Sequence, residues 1–357
     1  MQEVRPGDGG ARSRRSGREV VLTVDLHTHI LPETWPDLTA RYGYGGWVSV
    51  ARDEPCRARL LIDGTLFREI GDNCWSHARR LEDCARDGVS VQVLSTVPVM
   101  FAYWAKPQDT LDLARMLNDH LAGVVALEPR RFIGLGTVPL QEPELAIAEL
   151  ERCVTELGLA GIQIGTHVGD RNLDHPSLFP VFQAAERLGA AVFVHPWDML
   201  APERMTSYWL PWLVGMPAEA ALAICSVIFG GVLERLPRLR IAFAHGGGAF
   251  AGILGRLERA FASRPDLVAE RNPHPPGKYL RQFYVDSLTH DPDALRTLLR
   301  LHGAERVALG SDYPFPLGEE RPGSLIASMT DLDEITRARL LHGTALEFLD
   351  RRIESFA

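Results

Sequence analysis

The sequence lacks the features that nucleic-acid-binding proteins share. Lysine occurs only twice, at Lys106 and Lys278, in a chain of 357 residues with a formal net charge of -8. No stretch interleaves basic with aromatic residues, whereas proteins that bind nucleic acid concentrate positive charge on one face. We therefore expect no nucleic-acid partner.

Cysteine pairing motifs are missing as well. The five cysteines form no C-x-x-C pair, and their odd number indicates free thiols. Free thiols are typical of proteins in reducing compartments. The sequence therefore predicts a cytoplasmic location.

Long apolar runs are absent too. Residues 1–20 are rich in arginine and glycine and contain no apolar run of about 7–15 residues, which a secretory signal requires. We predict a disordered N-terminal extension there, and the strand-like segment that follows Arg14-Arg15 argues against a twin-arginine export signal. No uninterrupted apolar stretch reaches the roughly 18 residues of a membrane span, so no membrane partner is expected.

What the sequence does contain is a regular alternation of strand-like and helix-like segments. Amphipathic stretches such as Glu144–Leu157 separate eight short apolar runs, which are typical of strands buried on both faces. The runs are Val20–Leu26, Val89–Val97, Phe132–Pro139, Gly161–Gly165, Ala191–Val194, Arg240–Ala244, Phe283–Ser287 and Val307–Leu309. This alternation predicts an α/β fold, a (β/α)8 TIM-type barrel with a parallel sheet.

One segment interrupts the alternation. From Trp35 to Cys74 the chain is rich in glycine and charge and contains the turn-forming pair Asp63-Gly64. We predict a small β-rich insertion after strand 1, at about residues 35–74. No linker or internal repeat divides the remainder, so residues 21–357 are predicted to form a single barrel domain.

Polar residues follow four of the predicted strands at their carboxyl ends, where barrel enzymes place their active sites. His27 and His29 end the first strand, and residues two apart on an extended strand project to the same side. His195, His245 and Asp312 follow strands five, six and eight. A lone histidine at a strand end is more often structural, but this ordered set favours a shared metal site.

The residue types indicate the metal and its chemistry. Imidazole nitrogen and carboxylate oxygen suit Zn²⁺, which in catalytic sites keeps one position open for water. We predict His27, His29, His195 and Asp312 as the metal ligands. His245 is predicted to act as the catalytic base, because histidine ordinarily exchanges protons near neutral pH. Other divalent transition metals remain open at this stage.

The order of these residues resembles the amidohydrolase superfamily. Longer segments extend the resemblance from about Val24 into the last helix, and they are similar to decarboxylases of that superfamily. The segments include HTHILPETWPDL, RYGYGGWV, LSTVPVMFAYWAKPQDTL, FVHPWDM, FAHGGGAF and LGSDYPFPLGE. The resemblance implies zinc-dependent, non-oxidative decarboxylation of 2-amino-3-carboxymuconate 6-semialdehyde to 2-aminomuconate 6-semialdehyde and carbon dioxide.

The resemblance also bears on the number of metal ions. Many superfamily members hold a second ion through a carbamylated lysine on strand four. Here the predicted fourth strand, Gly161–Gly165, contains no lysine. A mononuclear site is therefore implied.

Four further residues are assigned by the resemblance alone. It implies that Arg68 holds a substrate carboxylate and that Arg256 reaches the site of a neighbouring subunit, so that a homodimer is needed for activity. Trp212 and Phe315 match aromatic positions of the substrate pocket. An acyclic dicarboxylate gives both arginines a role, since a guanidinium can hold a carboxylate bidentately.

Alternative functions stay open at this point. A related superfamily decarboxylase, hydratase or lactonase that acts on an aromatic acid or a ring-cleavage product would keep the same ligands. A catalytically silent barrel is disfavoured, because no ligand of the set is missing. His167 and His290, which follow strands four and seven, could line the mouth of the barrel or be structural.

Overall fold

Eight parallel strands form the central sheet. The computed structural model describes residues 22–356, so the predicted extension at residues 1–20 lies outside the described part. The order of the strands in the central sheet follows the chain. All strands of the protein are numbered together in chain order, and those of the central sheet are β1 (Val24–Ile30), β5 (Val91–Thr96), β6 (Phe132–Gly136), β7 (Gly161–Gly165), β10 (Ala191–His195), β11 (Arg240–Phe243), β12 (Tyr284–Asp286) and β13 (Val307–Ala308).

Backbone hydrogen bonds close this sheet into a barrel. The N–H of Leu26 donates to the carbonyl of Leu309, and the N–H of Asp312 donates to the carbonyl of His27, both at 2.8 Å. These bonds join the segment after β13 to β1, which pairs on its other side with β5. The predicted (β/α)8 barrel is thereby confirmed.

Helices follow the strands and cover the outside of the barrel. They are α1 (Leu38–Tyr42), α2 (His77–Asp87), α3 (Pro107–Leu127), α4 (Pro143–Thr155), α5 (Phe179–Leu188), α6 (Met216–Phe229), α7 (Val232–Arg235), α8 (Phe250–Ser263), α9 (Pro265–Val268), α10 (Pro292–His302), α11 (Ser324–Ser328), α12 (Glu334–Ala338) and α13 (Thr344–Leu349). The periodicity predicts one helix over Glu219–Leu236, but the structure divides it into α6 and α7. The break falls at Gly231, whose φ of 69° is left-handed and incompatible with a continuous helix.

The segment after β1 forms the predicted β-rich insertion. An antiparallel sheet contains β2 (Val48–Glu54), β3 (Arg57–Ile62) and β4 (Thr65–Gly71). Asp63 and Gly64, with φ of 48° and 78°, make the two-residue turn between β3 and β4, as expected for a hairpin turn with both central residues at positive φ. A second, minimal hairpin joins β8 (His167–Val168) to β9 (Arg171–Asn172) after β7.

The strands alternate between two apolar layers. On β10, Val192 and Val194 belong to the cluster that packs against the helices, whereas Ala191 and Phe193 belong to a separate cluster that α13 closes. Because side chains on a strand alternate between faces, His195 shares the side of Phe193, inside the barrel. The core thus directs this histidine toward the barrel axis.

One helical segment, Pro211–Phe229, is long and apolar enough to cross a membrane by length and composition alone. In the sequence, Glu219 interrupts this apolar run. Half of its most apolar window is buried in the protein, and Ala220, Ile224 and Val227 are core residues. Core helices of barrels meet the same criteria, so this segment is weak evidence for a membrane span.

Candidate metal centre and substrate cavity

The carboxyl ends of the strands bring the five predicted side chains together. His27 and His29 lie on β1, His195 is the last residue of β10, and His245 and Asp312 follow β11 and β13. His27 and His29 are fully buried, and His195 and Asp312 are nearly so. Residues that are far apart in the chain therefore form one cluster at the end of the barrel where barrel enzymes place their active sites.

A shift in strand register orients the pair on β1. Asp25 is paired with Gln92, but Thr28 is paired with Leu94, so β1 has one extra residue between the two pairs. Such irregularities turn side chains to a new direction and are common near active sites. The ring of His27 accordingly lies 5.0 Å from that of Phe193, inside the barrel.

The donor atoms of the cluster lie close to one another. Asp312 Oδ1 is 3.0 Å from His29 Nε2 and 3.3 Å from His27 Nε2, and the two Nε2 atoms are 3.2 Å apart. The ring centroid of His195 lies 5.0 Å from the centroids of both His27 and His29. In a second grouping, donor atoms of His27, His195, His245 and Asp312 all lie within 4.8 Å of one another.

Hydrogen bonds on the far side of each ring point Nε2 toward the centre of the cluster. His29 Nδ1 contacts the carbonyl of Thr96 at 3.0 Å, and His195 Nδ1 contacts the carbonyl of Pro196 at 3.0 Å. Because a carbonyl can only accept, Nδ1 carries the proton in both rings. Burial lowers the pKa of His29 and holds that of His195 well below its usual value, so both rings are neutral and can bind a metal through Nε2.

The cluster fits a divalent cation. His195 Nε2 and Asp312 Oδ1 are buried and have no hydrogen-bond partner among the described residues, although buried polar atoms are normally satisfied. Burial would raise the pKa of Asp312, but the adjacent His27 and the other histidines hold it well below its usual value. A buried carboxylate beside imidazole nitrogens is the donor set of catalytic transition-metal sites.

His245 occupies a different position from the other histidines. Its Nε2 lies 3.8 Å from Asp312 Oδ2, on the other carboxylate oxygen, and its ring lines an open cavity. Its backbone has a φ of 57°, in the left-handed region that is rare for residues other than glycine. The cluster therefore offers either His29 or His245 as the fourth metal donor, and the other histidine remains beside the metal position.

Two residues that support the cluster were not singled out from the sequence. Asp286, at the end of β12, accepts a hydrogen bond from His27 Nδ1 at 2.8 Å, and Thr96, at the end of β5, accepts from His29. The only sequence signal for Asp286 is an acidic residue within the buried run FYVDS. No sequence signal predicts the role of Thr96, because the contact is made by its backbone carbonyl, which every residue has.

A cavity of about 770 Å³ opens beside the cluster. Its volume is within the range of small-molecule sites, and most of its lining is apolar. His29, His195, His245 and Asp312 form its floor. Residues of the insertion, of the loop after β10 and of the loop after β13 form its walls, among them Phe67, Arg68, Trp197, Trp209, Trp212 and Phe315.

Arg68 is a cation surrounded by aromatic rings in this cavity. Its guanidinium carbon lies 4.5 Å from the ring centre of Phe315, 5.5 Å from Phe67 and 5.7 Å from Trp212. Among the side chains that the structure describes, no carboxylate lies within ion-pair distance of it. Burial lowers the pKa of Arg68. Its charge is thus available to a ligand in the cavity.

Of the remaining predicted residues, only His290 lies at the cavity. Arg256 is exposed on α8 and does not line the cavity of its own chain, although Ala251 and Ile253 of the same helix do. His290 lines the cavity. His167 does not, since its ring contacts the carbonyls of Gly169 at 2.8 Å and Asp198 at 2.9 Å.

Comparison with known proteins agrees with this architecture. A profile of the amidohydrolase family matches residues 24–351. The chain is 60% identical over 328 residues to 2-amino-3-carboxymuconate-6-semialdehyde decarboxylase of Dictyostelium discoideum, which covers 92% of this chain and 91% of the relative. It is 37% identical to the Caenorhabditis elegans protein of the same name, over 92% of this chain and 94% of the relative.

A solved structure shares the fold. It is the crystal structure of dihydroxybenzoic acid decarboxylase from Polaromonas sp. JS666 with bound manganese and the inhibitor 2-nitroresorcinol. The TM-score is 0.75 at 22% identity, and the match covers 94% of this chain and 98% of that chain. The barrel and its donor cluster thus define a metal-dependent enzyme. The chain belongs to the amidohydrolase family, and both relatives named above bear the name of a decarboxylase.

Proposed function

We propose that this chain is a zinc-dependent decarboxylase that converts 2-amino-3-carboxymuconate 6-semialdehyde to 2-aminomuconate 6-semialdehyde and carbon dioxide. The observation that carries the proposal is the 60% identity, over 92% of the chain, to a relative that bears the name of this activity. The donor cluster and the unpaired Arg68 in the adjoining cavity support it.

In this proposal a single ion is held by His27, His29, His195 and Asp312. Assignment of His29 as a ligand rests on its full burial and on the Thr96 carbonyl that fixes its tautomer. Imidazole and carboxylate donors suit zinc, which supplies Lewis acidity and lowers the pKa of a bound water to about 7. β7 carries Gln163 and no lysine, consistent with one ion.

His245 is the proposed acid and base. Water adds across the double bond of the substrate: its hydroxyl bonds to the carbon that bears the departing carboxylate, and His245 passes its proton to the neighbouring carbon. The bond to the carboxylate then breaks as carbon dioxide leaves, and the electron pair of that bond takes up a proton from solvent. His245 finally removes the proton from the neighbouring carbon and gives it to the departing hydroxyl, so that loss of water restores the double bond. The place of His245 on the floor of the cavity, next to Asp312, supports this role, because an acid or base must lie within hydrogen-bond reach of the group that it protonates.

Arg68 and the aromatic walls are proposed to bind the substrate. A guanidinium forms two parallel hydrogen bonds with a carboxylate, and Arg68 is half-buried among aromatic rings. Trp212 and Phe315 flank Arg68 at 5.7 Å and 4.5 Å. Their flat faces suit a planar conjugated chain.

A homodimer is proposed to complete the site through the partner's copy of Arg256. A Cβ at Gly252 or Gly255 on α8 would meet no atom within 4 Å, so another backbone could approach this helix closely. Exposed apolar residues lie on this helix and on the neighbouring segments. They are Trp209, Leu213, Val214, Leu222 and Ile253.

Mixing two inactive variants tests this sharing. A dimer of one R68M protomer and one R256M protomer contains one site with both arginines if Arg256 acts across the interface. We expect the mixture to recover activity that neither variant has alone. If Arg256 acts within its own chain, mixing recovers nothing, and if Arg256 has no role, R256M alone keeps wild-type activity; either result would refute the sharing.

The direct test of the function is the ultraviolet decay of freshly generated 2-amino-3-carboxymuconate 6-semialdehyde. Purified protein should accelerate the decay, chelation should abolish the acceleration, and zinc should restore it. If the zinc-bound protein does not accelerate the decay, this compound is not the substrate. A hydroxybenzoate-type acid in the same assay tests the related decarboxylase activity that the aromatic cavity would also accept.

Two histidine variants separate ligand from base. H29A is expected to lose bound metal, whereas H245A is expected to keep the metal and lose decarboxylation. Metal content by elemental analysis and turnover are measured on the same samples. The opposite pattern would place His245 among the ligands, as the grouping within 4.8 Å permits.

A further inference from the structure

Asp286 is a fully buried carboxylate that no step of the proposed reaction uses. It ends β12, below the donor cluster, and has no exposed surface. Four groups donate hydrogen bonds to it, two to each oxygen. They are His27 Nδ1 (2.8 Å) and His245 N–H (2.9 Å) to Oδ2, and Gly246 N–H (2.7 Å) and Leu288 N–H (3.1 Å) to Oδ1.

The hydrogen bond from His27 to Asp286 orients the ring of a proposed metal ligand. An ionised carboxylate only accepts, so the shared proton lies on His27 Nδ1 and Nε2 faces the cluster. Outer carboxylates of this kind fix the tautomer and the ring orientation of a metal-binding histidine. Asp286 therefore sets how His27 presents its donor atom.

The hydrogen bonds from the N–H groups of His245 and Gly246 to Asp286 hold the turn that carries the proposed base. His245 and Gly246 have φ of 57° and 62°, and their consecutive N–H groups both point at Asp286. Successive amides in such a turn form a small concave site for an anion. A residue other than glycine holds a left-handed conformation only when its surroundings enforce it. The carboxylate thus supports the turn from which the His245 ring projects.

We propose that Asp286 is a positioning residue that couples the metal ligand His27 to the base His245 through one carboxylate. The inference rests on the proposed metal site and on the proposed role of His245. Both are aligned by the same side chain, although they lie on β1 and after β11, on separate strands of the barrel. One substitution should therefore disturb metal binding and proton transfer together.

The isosteric variant D286N tests both effects, because it removes the charge of Asp286 and changes which hydrogen bonds the side chain can accept. The asparagine amide keeps only one of the two oxygens of Asp286. Its NH2 group therefore faces the two hydrogen-bond donors that the lost oxygen accepted from. If NH2 faces His27, that ring must accept at Nδ1 and carry its proton on Nε2, where the metal binds. If NH2 faces Gly246 and Leu288, the turn that holds His245 loses its support.

The experiment compares D286N with E149Q, a matched loss of a buried carboxylate. Glu149 is also fully buried and hydrogen-bonded, to Asn118 and two arginines, but it lies on α4 away from the cluster. Zinc affinity is measured by competition with a chromogenic chelator, and kcat and its pH profile are measured at saturating zinc. We expect D286N to bind zinc about 10- to 100-fold more weakly, with lower kcat and an altered pH profile, and E149Q to match the wild type in both.

Wild-type zinc affinity together with a wild-type kcat and pH profile in folded D286N would overturn the inference. If D286N does not fold, nitrogen NMR of the wild-type histidines with zinc bound gives a second test, because the inference requires the His27 signal, identified by its loss in H27Q, to report a protonated Nδ1. A deprotonated Nδ1 would also overturn it. Affinity and tautomer are measured without substrate, so failure of the proposed substrate is distinguishable from failure of this inference.

Discussion

Replacement of Arg68 by methionine tests whether the cavity is built for a carboxylate. Methionine keeps an unbranched apolar stem against Phe315, Phe67 and Trp212 but removes the charge. Since no described carboxylate pairs with Arg68, the substitution leaves no unpaired anion behind. The loss that is measured should therefore be that of the substrate contact.

The magnitude follows from the two hydrogen bonds that a guanidinium makes to a carboxylate. Each hydrogen bond to a charged group contributes about 1.5 kcal/mol, so the pair contributes about 3 kcal/mol. At about 1.36 kcal/mol for each tenfold change in rate, kcat/KM should fall about 150-fold in R68M. R68K keeps the charge without the fork and should lose about 10-fold.

Initial rates of substrate decay across a concentration series give kcat and KM for each variant. Metal content is measured alongside, and it should not change. R187A is the matched control, because Arg187 forms an exposed ion pair with Glu151, and such pairs contribute little. If kcat/KM in R68M stays within about threefold of the wild type, Arg68 does not hold a substrate carboxylate.

Three other properties can be measured directly. Cys56 is exposed, whereas Cys74 is buried, and burial raises the pKa of the Cys74 thiol to about 12. A thiol reagent should therefore label Cys56 in the native protein and Cys74 only after denaturation. Rapid labelling of Cys74 in the native protein would contradict its burial. Burial alone would lower the pKa of His27, but Asp312 and its other partners raise it to about 10, so zinc must displace a proton at neutral pH. Zinc affinity should then rise with pH up to about 10, with about one proton released from His27 in calorimetry, and affinity independent of pH would refute this. Phe182 is buried in the core, and F182A should lower the free energy of unfolding in urea by about 3–5 kcal/mol; a loss below about 1 kcal/mol would contradict its packing.

The sequence predicts those parts of the site that depend on local pattern. Parallel strands of a closed barrel end at one rim, so a histidine or aspartate at each strand end is enough to place His27, His195 and Asp312 together. Spacing also predicts the insertion, because Asp63-Gly64 specifies a tight hairpin turn. These features need only short stretches of sequence.

Other parts depend on contacts that no local pattern encodes. Asp286 and His27 are 259 positions apart in the chain, and within its own strand Asp286 is merely one acid in an apolar run. The surroundings of Arg68 come from β4, from the loop that carries Trp212 and from the loop that carries Phe315. Only the closed barrel brings these three segments to one cavity.

The fold holds the metal donors and directs His245 by different means, and the glycine run after His245 shows the difference. Gly246 has a φ of 62°, and a Cβ there would lie 2.9 Å from Leu298; at Gly248 a Cβ would lie 2.3 Å from the carbonyl oxygen of Pro217. Glycine is therefore required both for the turn and for its contact with the start of α6. His27 and His195, in contrast, project from strands that are fixed on both sides by the sheet. The donors are thus held by the barrel, whereas the direction of His245 is set by a turn that depends on glycine and on Asp286.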